Sequence, residues 1–157
     1  DADRLPMAKA SATNGRIAKC LIVNRDGHIL LLTIGDHTKY PQLSYLPDLP
    51  GGIIEEGETV AQGMVREIAE ETGIVVAPSR LLRIERKIVS IPWVKRDIEK
   101  WLYTTEVDMP GVTLSYEHES YRWVTIEELR HVHFDSFYFE DFIEPAIAKY
   151  IELVESA

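Results

Sequence analysis

The sequence predicts an α/β fold, and three observations carry this. Two β-rich apolar runs near the start are joined by an Asp-Gly turn. A capped amphipathic helix fills the middle of the chain. An apolar stretch at helical spacing closes it. The chain has 157 residues, 45% apolar and 27% charged, which suffices for one domain with its own core. Residues 16–157 are read as that domain. Residues 1–15 have no apolar core of a signal peptide and are read as a flexible N-terminal segment.

Ile17–Asn24 and His28–Ile34 are the two apolar runs. Arg25-Asp26-Gly27 between them is a hairpin signal. Both runs are almost continuously apolar, so the strands are expected to be covered on both faces. Cys20 lies inside the first and reads as a small buried hydrophobe. A single cysteine excludes an internal disulfide and a cysteine-rich zinc cluster, and it suits a reducing cytoplasm. Gly35–Leu49 reads as a long loop of the kind that often carries function. In it, Lys39 can meet phosphate, and Tyr40 or Tyr45 can stack on a base.

Gly51–Ile74 is the most informative stretch. Thr59 and Gln62 have the spacing of a capping box. Gly73 stands where a left-handed residue ends a helix. Ala61, Val65, Ile68 and Thr72 are expected to form the buried stripe. Glu67, Glu70 and Glu71 fall at i, i+3 and i+4, so their carboxylates are expected to share another face. Like charges at that spacing cost ~0.2–0.5 kcal/mol per pair in an isolated helix. A hard divalent cation is the natural compensation, and a solvated acidic face is the plainer alternative. Gly63 inside the helix costs ~1 kcal/mol relative to Ala, which points to close packing by a neighbour.

Gly52, Glu58, Arg66-Glu67-Ile68, Glu70-Glu71 and Gly73-Ile74 stand at spacings that resemble the Nudix box. Every fixed position of that signature is filled. The resemblance implies an α/β/α sandwich with a mixed central β-sheet. It also implies Mg²⁺-dependent hydrolysis of a pyrophosphate bond in a nucleoside diphosphate-linked substrate, with Mn²⁺ able to substitute. Glu67, Glu70 and Glu71 would be metal ligands, joined by the backbone carbonyl of Gly51. Arg66 would orient Glu67 or Glu58. Glu58 is either an acid favoured at a helix start or a member of the site.

Beyond the box, Arg80–Ile91 and Ile98–Val107 read as a strand pair, with Pro92–Asp97 as its loop. Trp93 and Arg96 in that loop can reach a ligand, whereas Trp101 and Tyr103 read as sheet aromatics. The run from Glu117 to Val124 is a loop entering a strand, followed by a second capping-box start at Thr125. In many Nudix enzymes an acid just before such an Arg-Trp-Val strand reaches the metals. Glu117 is the better candidate for a ligand or general base, and Glu119 the runner-up. His118 reads as polar surface or a proton shuttle. In the last stretch, Phe137, Phe142, Ile143 and Ile147 mark an apolar face, and Pro145 predicts a kink or two consecutive helices. Phe137, Tyr138 or Phe139 can line a base pocket.

The expected partner is a small-molecule nucleotide. A nucleoside triphosphate, oxidised or not, comes first, giving nucleoside monophosphate and diphosphate. ADP-ribose or another nucleotide sugar, or a dinucleoside polyphosphate, follows. A non-catalytic nucleotide-sensing module is the alternative of another class. The net charge of −9 argues against duplex nucleic acid, and no apolar run approaches the ~20 residues of a membrane span. A cytoplasmic protein is expected, with a homodimer among its allowed states.

Overall fold

The computed structural model describes residues 15–91 and 95–155. Seven strands form one mixed sheet: β1 (Gly15–Val23), β2 (Ile29–Ile34), β3 (Pro47–Asp48), β4 (Gly51–Ile53), β5 (Leu82–Ile91), β6 (Arg96–Glu106) and β7 (His118–Val124). β1 runs parallel to β6 and antiparallel to β2 and β4. The helices are α1 (Val60–Thr72), α2 (Ile126–Arg130), α3 (Ser136–Tyr138) and α4 (Glu144–Glu155), with a π-helical turn, Phe139–Ile143, between the last two.

The predicted turn at Asp26-Gly27 is present. Gly27 has φ +81°, and the Asn24 side-chain oxygen accepts from the Asp26 and His28 amides. β1 and β2 pair only at Val23 and Ile29. Farther along, the segment that leads into α1 fills the space between them, with β3 on β2 and β4 on β1. Residues 35–49, expected as a loop, thus hold a 3-10 turn at Pro41–Leu43 and then β3.

Alternation along β1 and β2 builds two cores. Ala18, Cys20, Ile22, Leu30 and Leu32 face α1 through Val60, Met64 and Ile68. Leu21, Ile29, Leu31 and Leu102 face the C-terminal helices through Phe142, Ile143, Ala146 and Ile147. This is the expected α/β/α sandwich. Burial pushes the Cys20 thiol up and keeps it protonated.

The helical stripe expected on α1 is met at Ile68 and Thr72 and not at Ala61 and Val65. Val60, Met64 and Ile68 face the core, while Ala61 and Val65 are half-buried. The capping box at Thr59 and the left-handed Gly73 are both formed. Gly63 is explained by packing, since a Cβ there would sit 2.6 Å from Ile54 Cδ1. Pro145 is the second residue of α4 and follows the π turn directly, so consecutive helical segments meet where it was expected to interrupt one helix. Arg96, expected in a loop, opens β6 opposite Ile91, and Trp93 lies outside the described residues. No helix of the described residues is long and apolar enough to cross a membrane.

Candidate active site

β4 and α1 supply the site's floor. Gly51 has φ +140°, a conformation open to glycine, and a Cβ there would fall 2.0 Å from the Ala18 carbonyl oxygen. A Cβ on Gly52 would lie 2.9 Å from Glu67 Oε1, so the glycine lets that carboxylate rest against the main chain. Above this turn is a cleft of about 560 Å³ whose wall includes Asp48, Glu67, Glu71, Glu117 and His118, with Lys39 at its side.

Arg66 organises the outer acids. Its Nε and Nη2 donate to the two carboxylate oxygens of Glu58 at 2.8 and 2.9 Å. Nη1 donates to Glu67 at 3.0 Å and to Glu70 at 3.3 Å, and Nη2 also reaches the Ile53 carbonyl. The hydrogen bonds from Arg66 hold the Glu58 carboxyl below its usual range. Glu58 is thus the anchor of Arg66 and lies outside the cleft wall. Glu70 also lies outside it, with 59% of its side chain exposed.

Glu71 belongs to a second, buried group. It is 3% exposed, and its Oε1 accepts from the Gly51 amide at 2.9 Å. Burial pushes its carboxyl up to about 9, against the pull of Lys19. Lys19 rises from β1 into the same interior. Its Nζ lies 2.8 Å from Asp48 Oδ1 and donates to the Leu49 and Gly51 carbonyls at 3.2 and 3.1 Å. Burial alone would lower the Lys19 ammonium, but Asp48 and Glu71 outweigh it and hold it above its ordinary value. Burial would likewise raise Asp48. Lys19 and hydrogen bonds from His118, Lys19 and Tyr138 bring it down instead, to about 2. The Tyr138 hydroxyl donates to Asp48 at 2.7 Å and accepts from the Leu49 amide at 2.6 Å.

His118 is not in the loop expected of it. It opens β7 and is 6% exposed, with Nε2 2.9 Å from Asp48 Oδ2. A ring nitrogen of His118 and one carboxylate oxygen each of Glu71 and Glu117 lie within 4.8 Å of one another. That spacing and donor chemistry fit a divalent cation. The Gly51 carbonyl already accepts from Lys19, which leaves it one lone pair for any ion.

The structure therefore gathers Gly51, Glu67, Glu71, Glu117 and Lys39 around one cleft. Among the described residues, Tyr40, Arg96 and Phe137 are not part of its wall. Tyr40 sits beside it, its ring 5.6 Å from Lys39 Nζ. Phe137 is 73% exposed, and its neighbour Tyr138 is the aromatic turned inward. Asp48 and Lys19 escaped the sequence reading as site residues, and Tyr138, read as a residue that can line a base pocket, instead holds Asp48. A lysine within an otherwise buried apolar strand was the available signal, because such a charge requires a partner.

A short glycine-bearing strand set against an acid-faced helix, within an α/β/α sandwich, matches a known class. The model of the NUDIX domain family matches residues 13–142, and the chain belongs to that family. It is 33% identical over 81 residues to the asymmetrical bis(5'-nucleosyl)-tetraphosphatase of Sus scrofa, covering 50% of this chain and 55% of that protein. It is 37% identical over 81 residues to the ADP-ribose pyrophosphatase of Methanocaldococcus jannaschii, covering 52% and 42%. The chain thus spans about half the length of the curated relatives it matches. Among solved structures it resembles the MutT protein from Methanosarcina mazei Go1, with TM-score 0.68, 25% identity and coverage of 88% and 93%. A C. elegans Ap4A hydrolase shares the fold, with TM-score 0.62, 21% identity and coverage of 90% and 99%.

Proposed function

We propose that this chain is a divalent-metal-dependent hydrolase of a phosphoanhydride bond in substrates built on a nucleoside diphosphate. The observation that carries this reading is the convergence of Glu67, Glu71 and Glu117 on one cleft beside Gly51 and Gly52. Glu71 and Glu117 would hold the ion, Mg²⁺ by preference for oxygen donors and phosphate. When bound, such an ion polarises a phosphoryl oxygen and makes water more acidic.

The chain's own residues supply the remaining chemistry. Glu67, fixed between Arg66 and Gly52, accepts the proton of the attacking water as the water oxygen bonds to phosphorus. The bond from phosphorus to the bridging oxygen breaks, and that oxygen leaves on the departing phosphate. Lys39 at the cleft offsets the charge it carries away. Arg66 positions Glu67 and does not touch the substrate.

Nucleoside triphosphates, cleaved to nucleoside monophosphate and diphosphate, are the first substrates to test. A dinucleoside polyphosphate is the second reading, favoured by the likeness to the tetraphosphatase of Sus scrofa. ADP-ribose follows from the archaeal relative. The test is product analysis by ion-exchange chromatography on this panel with Mg²⁺ or Mn²⁺, for wild type and Glu71→Gln. Turnover of one class by wild type, lost in the variant, supports the reading. Binding of nucleotide without turnover of any member would leave a sensing module instead.

A further inference from the structure

We infer that His118 is a nitrogen ligand of the metal centre, with Asp48 as the carboxylate that orients it. The inference rests on the metal-dependent reading above and adds a donor of a different chemical kind. Four observations support it. A ring nitrogen of His118 lies within 4.8 Å of carboxylate oxygens of both Glu71 and Glu117. His118 Nδ1 is buried and has no hydrogen-bond partner in the structure, and it is the one buried side-chain nitrogen or oxygen of the described residues in that state. Nε2 is engaged by Asp48 Oδ2 at 2.9 Å. Asp48 is itself fixed by Lys19 at 2.8 Å and by the Tyr138 hydroxyl at 2.7 Å.

These facts assign the two nitrogens. Lys19 Nζ and the Tyr138 hydroxyl both donate to Asp48 Oδ1, so this carboxylate acts as an acceptor and Nε2–H donates to Oδ2. In the neutral ring the lone pair is then on Nδ1, the nitrogen without a protein partner. A buried nitrogen without a partner costs ~1–3 kcal/mol, and a bound cation removes that penalty. A carboxylate that fixes the tautomer and turns the other nitrogen to a metal is a recurrent arrangement.

The backbone shows how two consecutive residues reach one site. Glu117 lies in the turn before β7 and His118 is the strand's first residue, so the alternation of a strand does not separate them. Thr33 pairs with Ser120 and Ile34 with His118, so Glu119 is the extra residue of a bulge at the start of β7. The bulge sets His118 out of phase with Ser120 and the rest of β7. The Gly35 amide, bound to the Glu117 carbonyl at 2.9 Å, pins the turn.

The consequence is a mixed nitrogen and oxygen centre. Imidazole favours Mn²⁺, Co²⁺ and Zn²⁺ over Mg²⁺ more than carboxylates alone do. The test is pulsed EPR of the whole chain loaded with Mn²⁺, which detects directly bonded imidazole nitrogen. Wild type should show that nitrogen modulation, His118→Gln should lose it, and His37→Gln, altered at the cleft's other histidine, should keep it. Calorimetric titrations give a second readout. The ratio of Mg²⁺ to Mn²⁺ dissociation constants should fall by roughly tenfold in His118→Gln, the scale of metal-site substitutions. The wild-type spectrum decides even if the variant does not fold. Mn²⁺ bound in a Glu71-dependent manner with no nitrogen modulation would overturn the His118 assignment alone. Mn²⁺ binding equal in wild type and Glu71→Gln would overturn the metal reading and this inference with it.

Discussion

Arg66 and Lys19 serve the same acid cluster from two sides, one in contact with water and one sealed from it. Arg66 is anchored bidentately by Glu58 and holds Glu67 and Glu70 along the outer face of α1. Lys19 lies beneath β3 and β4, bonded to Asp48 and two carbonyls, with Glu71 in its field. The outer group is a set of near neighbours in sequence, on one helix and the turn that leads into it. The inner group joins β1, β3, α1, β7 and α3, elements that meet only in the folded chain. Screening by solvent makes the outer pairs individually weak, while the inner ones stand in low dielectric where a lost partner is costly. Geometry at the surface and charge balance in the interior are thus divided between two cations.

The comparison breaks most completely at Glu71. Glu71→Gln should take turnover to the assay floor and abolish the rise in Tm that millimolar Mg²⁺ or Mn²⁺ gives wild type by binding the native state. The metal-free variant should be no less stable than wild type, because Gln can still accept from Gly51 and carries no buried charge. Thermal melts with and without metal, beside a turnover assay, check both halves. A retained metal shift would move the centre away from Glu71.

The inner cation should matter more to folding than the outer one. Lys19→Met leaves Asp48 buried without its ammonium, and breaking a buried pair costs ~3–5 kcal/mol. Arg66→Met removes pairs that are partly solvated and should cost about 1 kcal/mol, with its larger effect on kcat through Glu67. Urea unfolding of the two variants gives the ratio. Equal losses would mean that the outer group is as desolvated as the inner.

The pH dependence separates the groups again. Glu71 has its carboxyl raised from 4.5 to about 9 by burial, so the native state holds a proton that the unfolded chain releases. The stability this contributes is complete below 4.5 and is lost as pH rises towards about 9. Asp48, lowered to about 2, acts in the opposite sense and only below 3.8. Metal-free wild type should therefore lose stability between pH 5 and pH 9 relative to Glu71→Gln, measured as the difference in urea midpoints across that span. A constant difference would show that Glu71 is ionised throughout.

The same division explains what was legible in the sequence. Residues of the outer group are close in sequence: Arg66, Glu67 and Glu70 lie within little more than one turn of α1, and Glu58 stands just before its N-cap. The cap at Thr59, the stop at Gly73 and the Asp-Gly hairpin are also local, and each stands where it was expected. Inner residues are far apart in sequence: Lys19, Asp48, Glu71, His118 and Tyr138 meet through sheet register. A bulge absorbs Glu119 and sets His118 out of phase with the rest of β7. No periodicity of single residues carries that information. The stripe on α1 holds at Ile68 and Thr72, and in the first turns Val60 and Met64 take the core positions, where Ile54 packs against Gly63.

Glu70→Gln should have the smallest effect of the acid substitutions. The sequence places Glu70 and Glu71 as equal partners of Glu67. In the structure Glu70 is 59% exposed, paired with Arg66 at 3.3 Å, and outside both the cleft wall and the cluster of Glu71, Glu117 and His118. An exposed ion pair contributes ~0.2–1 kcal/mol, so stability should change by no more than that. Because Arg66 also holds Glu67, losing Glu70 lets the guanidinium shift. The expected cost is about tenfold in kcat, as for groups that act through a neighbour. KM and the Mn²⁺ affinity should stay close to wild type. Loss of turnover equal to that of Glu71→Gln, with weaker Mn²⁺ binding, would show that Glu70 swings into the centre when the ion is bound. The outer and inner groups would then be one site.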